Sequence, residues 1–320
     1  MASDVLKSYI RSMSSDGASI GRATLLIVLS AVCFGSISVL TVLTTSAGVP
    51  LLTAMAWRYV IAAGFLWFLP QVREIRNVPR RKIMQLLVIG GCGQALITYL
   101  SLHALQYIPV GPLAFLFYTY PAWVAVLAAI RRTEPLNVAR IIALVLALTG
   151  VTIMVGAPTE RLSPVGVALA LTSALLYSAY LPALEHVQQG IPAVISTFGL
   201  VVGAAIAFVV AAIVGDELFL PTGKEVWANI FLLAFASTVI AFSFLIAGLA
   251  VLGPVRTAII ATVEPFFTAL LGAVVLGNAF HSSTFAGGVL IAVAVLTIEW
   301  SSGKGEFRSR LPGVGGARSR

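Results

Sequence analysis

Glu264 lies near the middle of a long apolar run, immediately before Pro265. A carboxylate at bilayer depth costs on the order of several kcal/mol unless it is protonated, paired or wetted, so its presence asks for a chemical reason. Helical spacing sets Thr257, Ala261, Glu264 and Thr268 on one face, a polar stripe that should look inward. Such a group can bind a substrate amine or a proton, or it can be a structural acid bonded to neighbouring helices. Arg58, flanked by Trp57 and Tyr59, falls inside a second apolar run. Its guanidinium can snorkel to the surface, pair with Glu264, or hold a substrate carboxylate by a two-pronged hydrogen bond. Trp57 and Arg58 are therefore candidate binding residues alongside Glu264.

Three further groups of polar and aromatic residues share helical faces. Gln94, Thr98 and Ser101 form one, with Tyr99 beside them; Tyr118, Tyr120 and Trp123 crowd a second; Ser173, Tyr177 and Tyr180 form a third. A hydroxyl in mid-span needs a partner that lipid cannot supply, which suits a polar cavity better than a lipid-facing surface. Packing is the competing reading, and near helix ends an interfacial belt, which fits Tyr107 and Trp300. Pro121 and Pro265 are expected mid-helix, where each removes a backbone hydrogen bond and acts as a kink or hinge. Gly199 and Gly203 permit close helix contact.

The elements that must position these residues are membrane spans. With 320 residues, 59% hydrophobic and 10% charged, the chain has more apolar surface than a soluble core of that size can hide. About ten spans of roughly 20 residues would nearly exhaust the length. They are placed near residues 23–45, 51–70, 83–105, 110–130, 136–156, 164–184, 193–214, 226–249, 255–277 and 283–300, punctuated by Gly and Pro at the breaks. Cys33 and Cys92 fall within spans and read as small buried hydrophobes. The first apolar run follows a polar start without a convincing cleavage site and reads as a span.

A net charge of +8 reports topology here rather than a nucleic-acid partner. Lys7, Arg11, Arg22, the group from Arg73 to Lys82, Arg131, Arg132, Arg140 and the C-terminal cations fall on one side of the alternating connections; Arg161 and Lys224 fall on the other. That asymmetry places both termini in the cytoplasm of a bacterial cell, with the chain in the inner membrane, and requires an even number of spans. Setting 105–156 against 249–300 without gaps pairs Pro121 with Pro265, Ala125 with Ala269, Leu127 with Leu271 and Leu146 with Leu290. The expected organisation is a cytoplasmic segment 1–22, a five-helix repeat 23–156, a second repeat 157–300 and a disordered basic tail 301–320. Five is odd, so the two repeats must cross the membrane in opposite senses. The fold class is thus an all-α membrane protein, a 5+5 inverted repeat of ten helices.

The residues resemble the EamA-type branch of the drug/metabolite transporter superfamily. The likeness rests on Phe34-Gly35-Ser36, Pro50 with Trp57-Arg58-Tyr59, Ala104 through Ile108, Tyr120-Pro121 and Glu134 in the first half. In the second half it rests on Gly248-Leu249, Glu264-Pro265 and Leu276-Gly277-Asn278. Asn278 stands where the family has glutamate, and Arg131-Arg132-Thr133 lacks the family's glycine before Glu134. The resemblance implies ten helices around a central cavity, with the fifth and tenth outside it. It further implies export of a small metabolite. Within the superfamily the chain is most similar to amino acid exporters, including aromatic ones, on the segment from Tyr118 to Trp123. Efflux of cationic drugs and an intramembrane enzyme acting on a lipid-linked substrate are the alternatives. No metal-ligand cluster, phosphate-binding glycine loop or nucleophile–base pair stands in the sequence, so no cofactor is expected. The expected partners are a small-molecule substrate and the bilayer. Gly287 and Gly288 leave oligomerisation open.

Overall fold

The computed structural model describes residues 19–133, 137–155, 162–277 and 281–309, and among these every regular element is a helix. Residues 1–18, Glu134, Arg161, Asn278 and the tail beyond 309 lie outside the described residues. We label the helices α1 (Ser19–Ser46), α2 (Leu51–Trp67), α3 (Arg80–Gln106), α4 (Val110–Phe117), α5 (Tyr120–Arg131) and α6 (Val138–Val155). The rest are α7 (Pro164–Gln188), α8 (Ala193–Val214), α9 (Lys224–Ala261), α10 (Glu264–Leu276) and α11 (Ser282–Ser309). Pro50, Pro79, Pro109 and Pro192 each immediately precede a helix, where no helical hydrogen bond is lost to the ring.

Six segments are long and apolar enough to cross a membrane, and α2 makes a seventh when joined to the 3-10 helix Pro70–Asn77, which bends away from it by 85°. Three shorter apolar helices, Val138–Met154, Glu264–Leu276 and Ser282–Ile298, accompany them. The segment α9 is itself split: Gly253 adopts φ 74° and ψ 171°, a conformation open to glycine, and Pro254 follows it. The last helix continues to Ser309. No proline interrupts that stretch before Pro312, and nothing blocks its backbone ladder.

The prolines expected in mid-helix prove to open new helices. Between α4 and α5 the chain turns at Tyr118 and Thr119, and between α9 and α10 at Thr262 and Val263; Pro121 and Pro265 then occupy the first turns of α5 and α10. Proline is favoured there because its missing N–H is an orphan donor anyway. The sequence repeat therefore extends to structure, with equivalent breaks in the two halves. A second correspondence is a π-turn inside α3 (Ile89–Gln94) and another inside α9 (Phe235–Ile240). Such turns widen the helix by one residue and leave backbone groups for side chains to claim.

Glycine governs the closest helix contacts. A Cβ at Gly90 would run into the carbonyl of Leu200, and one at Gly203 into that of Leu87, so α3 and α8 meet backbone to backbone. In the same way α6 and α11 meet at Gly150 and Gly287, while Gly288 faces the Phe266 ring. Both glycines of that pair thus serve contacts within the chain.

Candidate functional site

A cavity of about 120 Å³ lies between α1, α3, α4, α5, α7, α9 and α10. Its polar lining is Ser38, Gln94, Thr98, Ser101, Tyr118, Tyr120, Tyr177, Glu264 and Thr268, and Phe34, Phe117 and Phe242 supply much of the rest. The helix break before α10 delivers Glu264 to this space as the first residue of the helix. Its backbone carbonyl accepts from Thr268 Oγ1 at 3.2 Å. Its carboxyl interacts with the Tyr118 side chain, which comes from the equivalent break in the other half. Glu264 is the one acidic or basic residue among the described lining residues.

Aromatic rings form much of the wall. Tyr120 and Tyr177 meet edge to face at 4.7 Å and 85°, and Phe117 lies 5.4 to 5.6 Å from Tyr118, Tyr120 and Tyr177. Phe34 and Phe242 make a second edge-to-face pair at 5.0 Å. These geometries are the ones ring quadrupoles favour, and their exposed faces attract cations. The Tyr120 hydroxyl reaches Ala258 O at 3.4 Å, a long contact linking α5 to α9.

The polar edge of the cavity is set by the π-turn of α3, which ends at Gln94. Gln94 Nε2 donates to Thr98 Oγ1 at 2.9 Å, and Thr98 Oγ1 in turn stands 3.4 Å from the Tyr59 hydroxyl. Gln94 Oε1 is buried without a partner.

Of the expected site residues, Glu264, Gln94, Thr98, Tyr118, Tyr120 and Tyr177 come together here. The remainder do not line the cavity. Tyr180 is buried behind Tyr177, stacked on it at 5.7 Å, with its hydroxyl unpartnered. Tyr99 stacks on His103 at 5.1 Å, and Trp123 is 43% exposed on the outer surface of α5. Trp57 donates through Nε1 to Phe219 O and packs edge to face on Trp227, anchoring the loop before α9. Ser173 is spent on Ala170 O.

Arg58 follows none of the three courses its sequence position suggested. It is 1% exposed, so it does not snorkel, and its partners are neutral. Nε donates to Thr238 Oγ1 at 2.7 Å and one terminal nitrogen to Ser237 O at 2.9 Å, both in the π-turn of α9. The guanidinium also lies 5.0 Å from the Tyr59 ring centre. Ser237 Oγ meets Ser36 Oγ of α1 at 2.6 Å, so Arg58 fastens α2, α9 and α1 together behind the cavity wall. The stripe expected through Thr257 and Ala261 to Glu264 is interrupted at Thr262 and Val263, leaving Thr257 buried on the far side of the break with its hydroxyl unpartnered.

Residues that sequence reasoning passed over include Ser38, Phe117 and Phe242. Ser38 is one turn beyond Phe34, and Phe117 adjoins the aromatic run of α4, so both had a local signal. Phe242 had none, because phenylalanine in an apolar span reads as lipid-facing or core alike.

Two stretches of the chain, residues 21–156 and 164–300, match the model of the EamA-like transporter family. No curated protein matches the chain. Among solved structures 29 chains match. One, described only as "Crystal structure of protein", superposes with a TM-score of 0.71 over 89% of this chain and 98% of its own at 19% identity, a likeness of fold alone.

Proposed function

Because the chain belongs to the EamA-like transporter family, whose members are membrane transporters of small molecules rather than enzymes, we propose that it exports amino acids, aromatic and other neutral ones foremost, by alternating access. The observation that carries this reading is Glu264, the one acidic or basic residue among the described lining residues, set beside Tyr118 among aromatic rings. A carboxylate in that setting suits a substrate ammonium, and the rings suit an apolar or aromatic body. Gln94, Thr98 and Ser101 give the substrate carboxylate neutral polar neighbours. Tyr180, Tyr99, Trp123, Trp57 and Arg58 support the cavity from behind or border other faces.

The architecture we propose is ten helices in two inverted repeats, residues 23–156 and 157–300, in the inner membrane with both termini cytoplasmic. The split of α9 at Gly253 supports ten, since its downstream part then continues through the break into α10 as one span, as α4 continues into α5. The shorter apolar helices α6 and α11 complete the number. Equivalent breaks at 118–119 and 262–263 support a rocking motion in which Pro121 and Pro265 keep the second half of each broken span rigid.

A second reading is favoured by one feature. The cavity offers a substrate carboxylate no cation, because Arg58 is committed to Thr238 and Ser237. Amines without a carboxylate, including cationic drugs, then fit as well. Purified protein in liposomes, given a panel of labelled amino acids with and without a pH gradient, tests the first reading directly. Flux no greater than in empty liposomes across that panel removes the amino acid assignment, and flux of the decarboxylated amines alone establishes the second.

A further inference from the structure

The corner between α2 and α3 gathers positive charge that the rest of the molecule leaves unanswered. Residues 70–82 hold five cations against one carboxylate, Glu74. Lys82 is occupied, its Nζ donating to Val187 O at the end of α7 at 2.9 Å. Arg73, Arg76, Arg80 and Arg81 are exposed, and among the described residues no hydrogen bond or ion pair engages their side chains. Like charges crowded into so short a stretch repel one another, and an anion relieves them.

The fold determines how these groups are presented. Three residues per turn set Val72 and Ile75 on one ridge of the 3-10 helix Pro70–Asn77 and Arg73 and Arg76 on the next. Val72 is 1% exposed and joins the core that α2 shares with α8, with Ile75 packed against it, so the apolar ridge anchors the helix and the basic ridge stays outside. The 3-10 helix leaves α2 at 85°. With α2 crossing the bilayer, it therefore lies nearly parallel to the membrane surface, at the depth of the headgroups. Trp67 and Phe68 stand at the bend, 62% and 83% exposed, as aromatic residues do at that boundary.

We propose that this corner is a binding surface for an anionic phospholipid, with the guanidinium groups of Arg73, Arg76, Arg80 and Arg81 taking the headgroup phosphate and Trp67 and Phe68 lying along the acyl chains. Guanidinium forks match phosphate oxygens in pairs, which suits arginine here better than lysine. A zwitterionic headgroup brings its own cation into the cluster and is disfavoured. A soluble anion satisfies the charges but offers nothing to the rings beside them, so a lipid fits the surface better.

The test uses the full chain in phosphatidylcholine nanodiscs, to which phosphatidylglycerol or phosphatidylcholine with brominated acyl chains is added at rising mole fraction. Bromine quenches tryptophan on contact, and subtracting the signal of Trp67→Phe isolates the Trp67 response. Half-quenching should need roughly tenfold less of the glycerol lipid than of the choline lipid. The preference should shrink in high salt, which screens exposed charges. Arg73→Gln, Arg76→Gln, Arg80→Gln and Arg81→Gln combined should abolish it, whereas Arg131→Gln with Arg132→Gln, which removes cations at another corner, should leave it intact. Thermal melting checks that each variant is folded. Equal quenching by the two lipids in the unmodified protein would overturn the proposal and leave the cluster to a soluble anion or an acidic peptide. A preference that survives the fourfold variant, or that ignores salt, would overturn it as well. The readout is contact with lipid, so none of these outcomes bears on what the cavity carries.

Discussion

The Tyr118 side chain interacts with the Glu264 carboxyl, and each of these residues stands at a helix break that has its counterpart in the other half of the molecule. One polar interaction thus joins the two repeats at the point where their helices are least regular. Motion of either repeat relative to the other must stretch or remake it.

Replacing Tyr118 by Phe keeps the ring and deletes the hydroxyl that interacts with Glu264. If the hydroxyl serves the carboxyl during transport, losing a polar partner of this kind costs about 0.5–1.5 kcal/mol, and liposome flux should fall by roughly two- to tenfold. The matching change Tyr120→Phe removes only the 3.4 Å contact to Ala258 O and should cost less. Initial rates of the two variants side by side decide the matter; equal losses would mean that the rings, not the hydroxyls, matter.

Glu264→Gln preserves shape and hydrogen bonding while removing charge. Uptake of amine-bearing substrates should weaken by roughly 10- to 100-fold, the usual effect of losing a charge-assisted partner. If the carboxyl also carries the coupling proton, the residual flux will no longer respond to an imposed pH gradient. Unchanged affinity in this variant would make Glu264 a structural acid.

Glycine substitutions should divide by sign. Gly90→Ala and Gly203→Ala drive a Cβ into the backbone carbonyls of Leu200 and Leu87, and overpacking of this kind costs about 1–3 kcal/mol. Gly64→Ala, in a helix with open space around the new methyl, should instead stabilise by about 0.5–1 kcal/mol. Melting of the detergent-solubilised variants measures both, and a common direction for all three would refute the close approach of α3 and α8.

Arg58→Lys cannot reproduce the fork to Thr238 Oγ1 and Ser237 O. The variant should lose about 1–3 kcal/mol of stability, seen as a lower melting midpoint, with flux falling in step because α1, α2 and α9 loosen together. Thr238→Val should lose a smaller share. Full stability with selective loss of carboxylate-bearing substrates would return Arg58 to the binding site.

Much of this was open to reading from residue types alone. The helical class, the membrane setting and the pairing of 105–156 with 249–300 all follow from apolar content and the aligned prolines. So do six residues of the cavity, because a polar group in an apolar span has few other places to go. Direction was harder. The spans are apolar on every side, so nothing in their periodicity tells the lipid face from the inner face, and residue type alone points Trp123 and Tyr99 toward the cavity that they do not line. Arg58 escaped because its partners, Thr238 Oγ1 and the Ser237 carbonyl, sit in a π-turn that leaves no mark in composition. The breaks at Tyr118 and Thr262 were hidden for a related cause: proline is as common at the start of a helix as it is disruptive within one.

The π-turn at Ile89–Gln94 has one more implication. An extra residue in a turn swivels everything downstream by about 100° about the helix axis. That swivel lets a single rod present Leu86, Gly90 and Gly91 to α8, then aim Thr98 and Ser101 at the cavity on a different bearing. Deleting any one residue between 89 and 94 would restore an ordinary ladder yet spin the two ends out of phase, burying the wrong side chains at one of them. Single-codon loss here should therefore be far less tolerated than exchange of one residue for another.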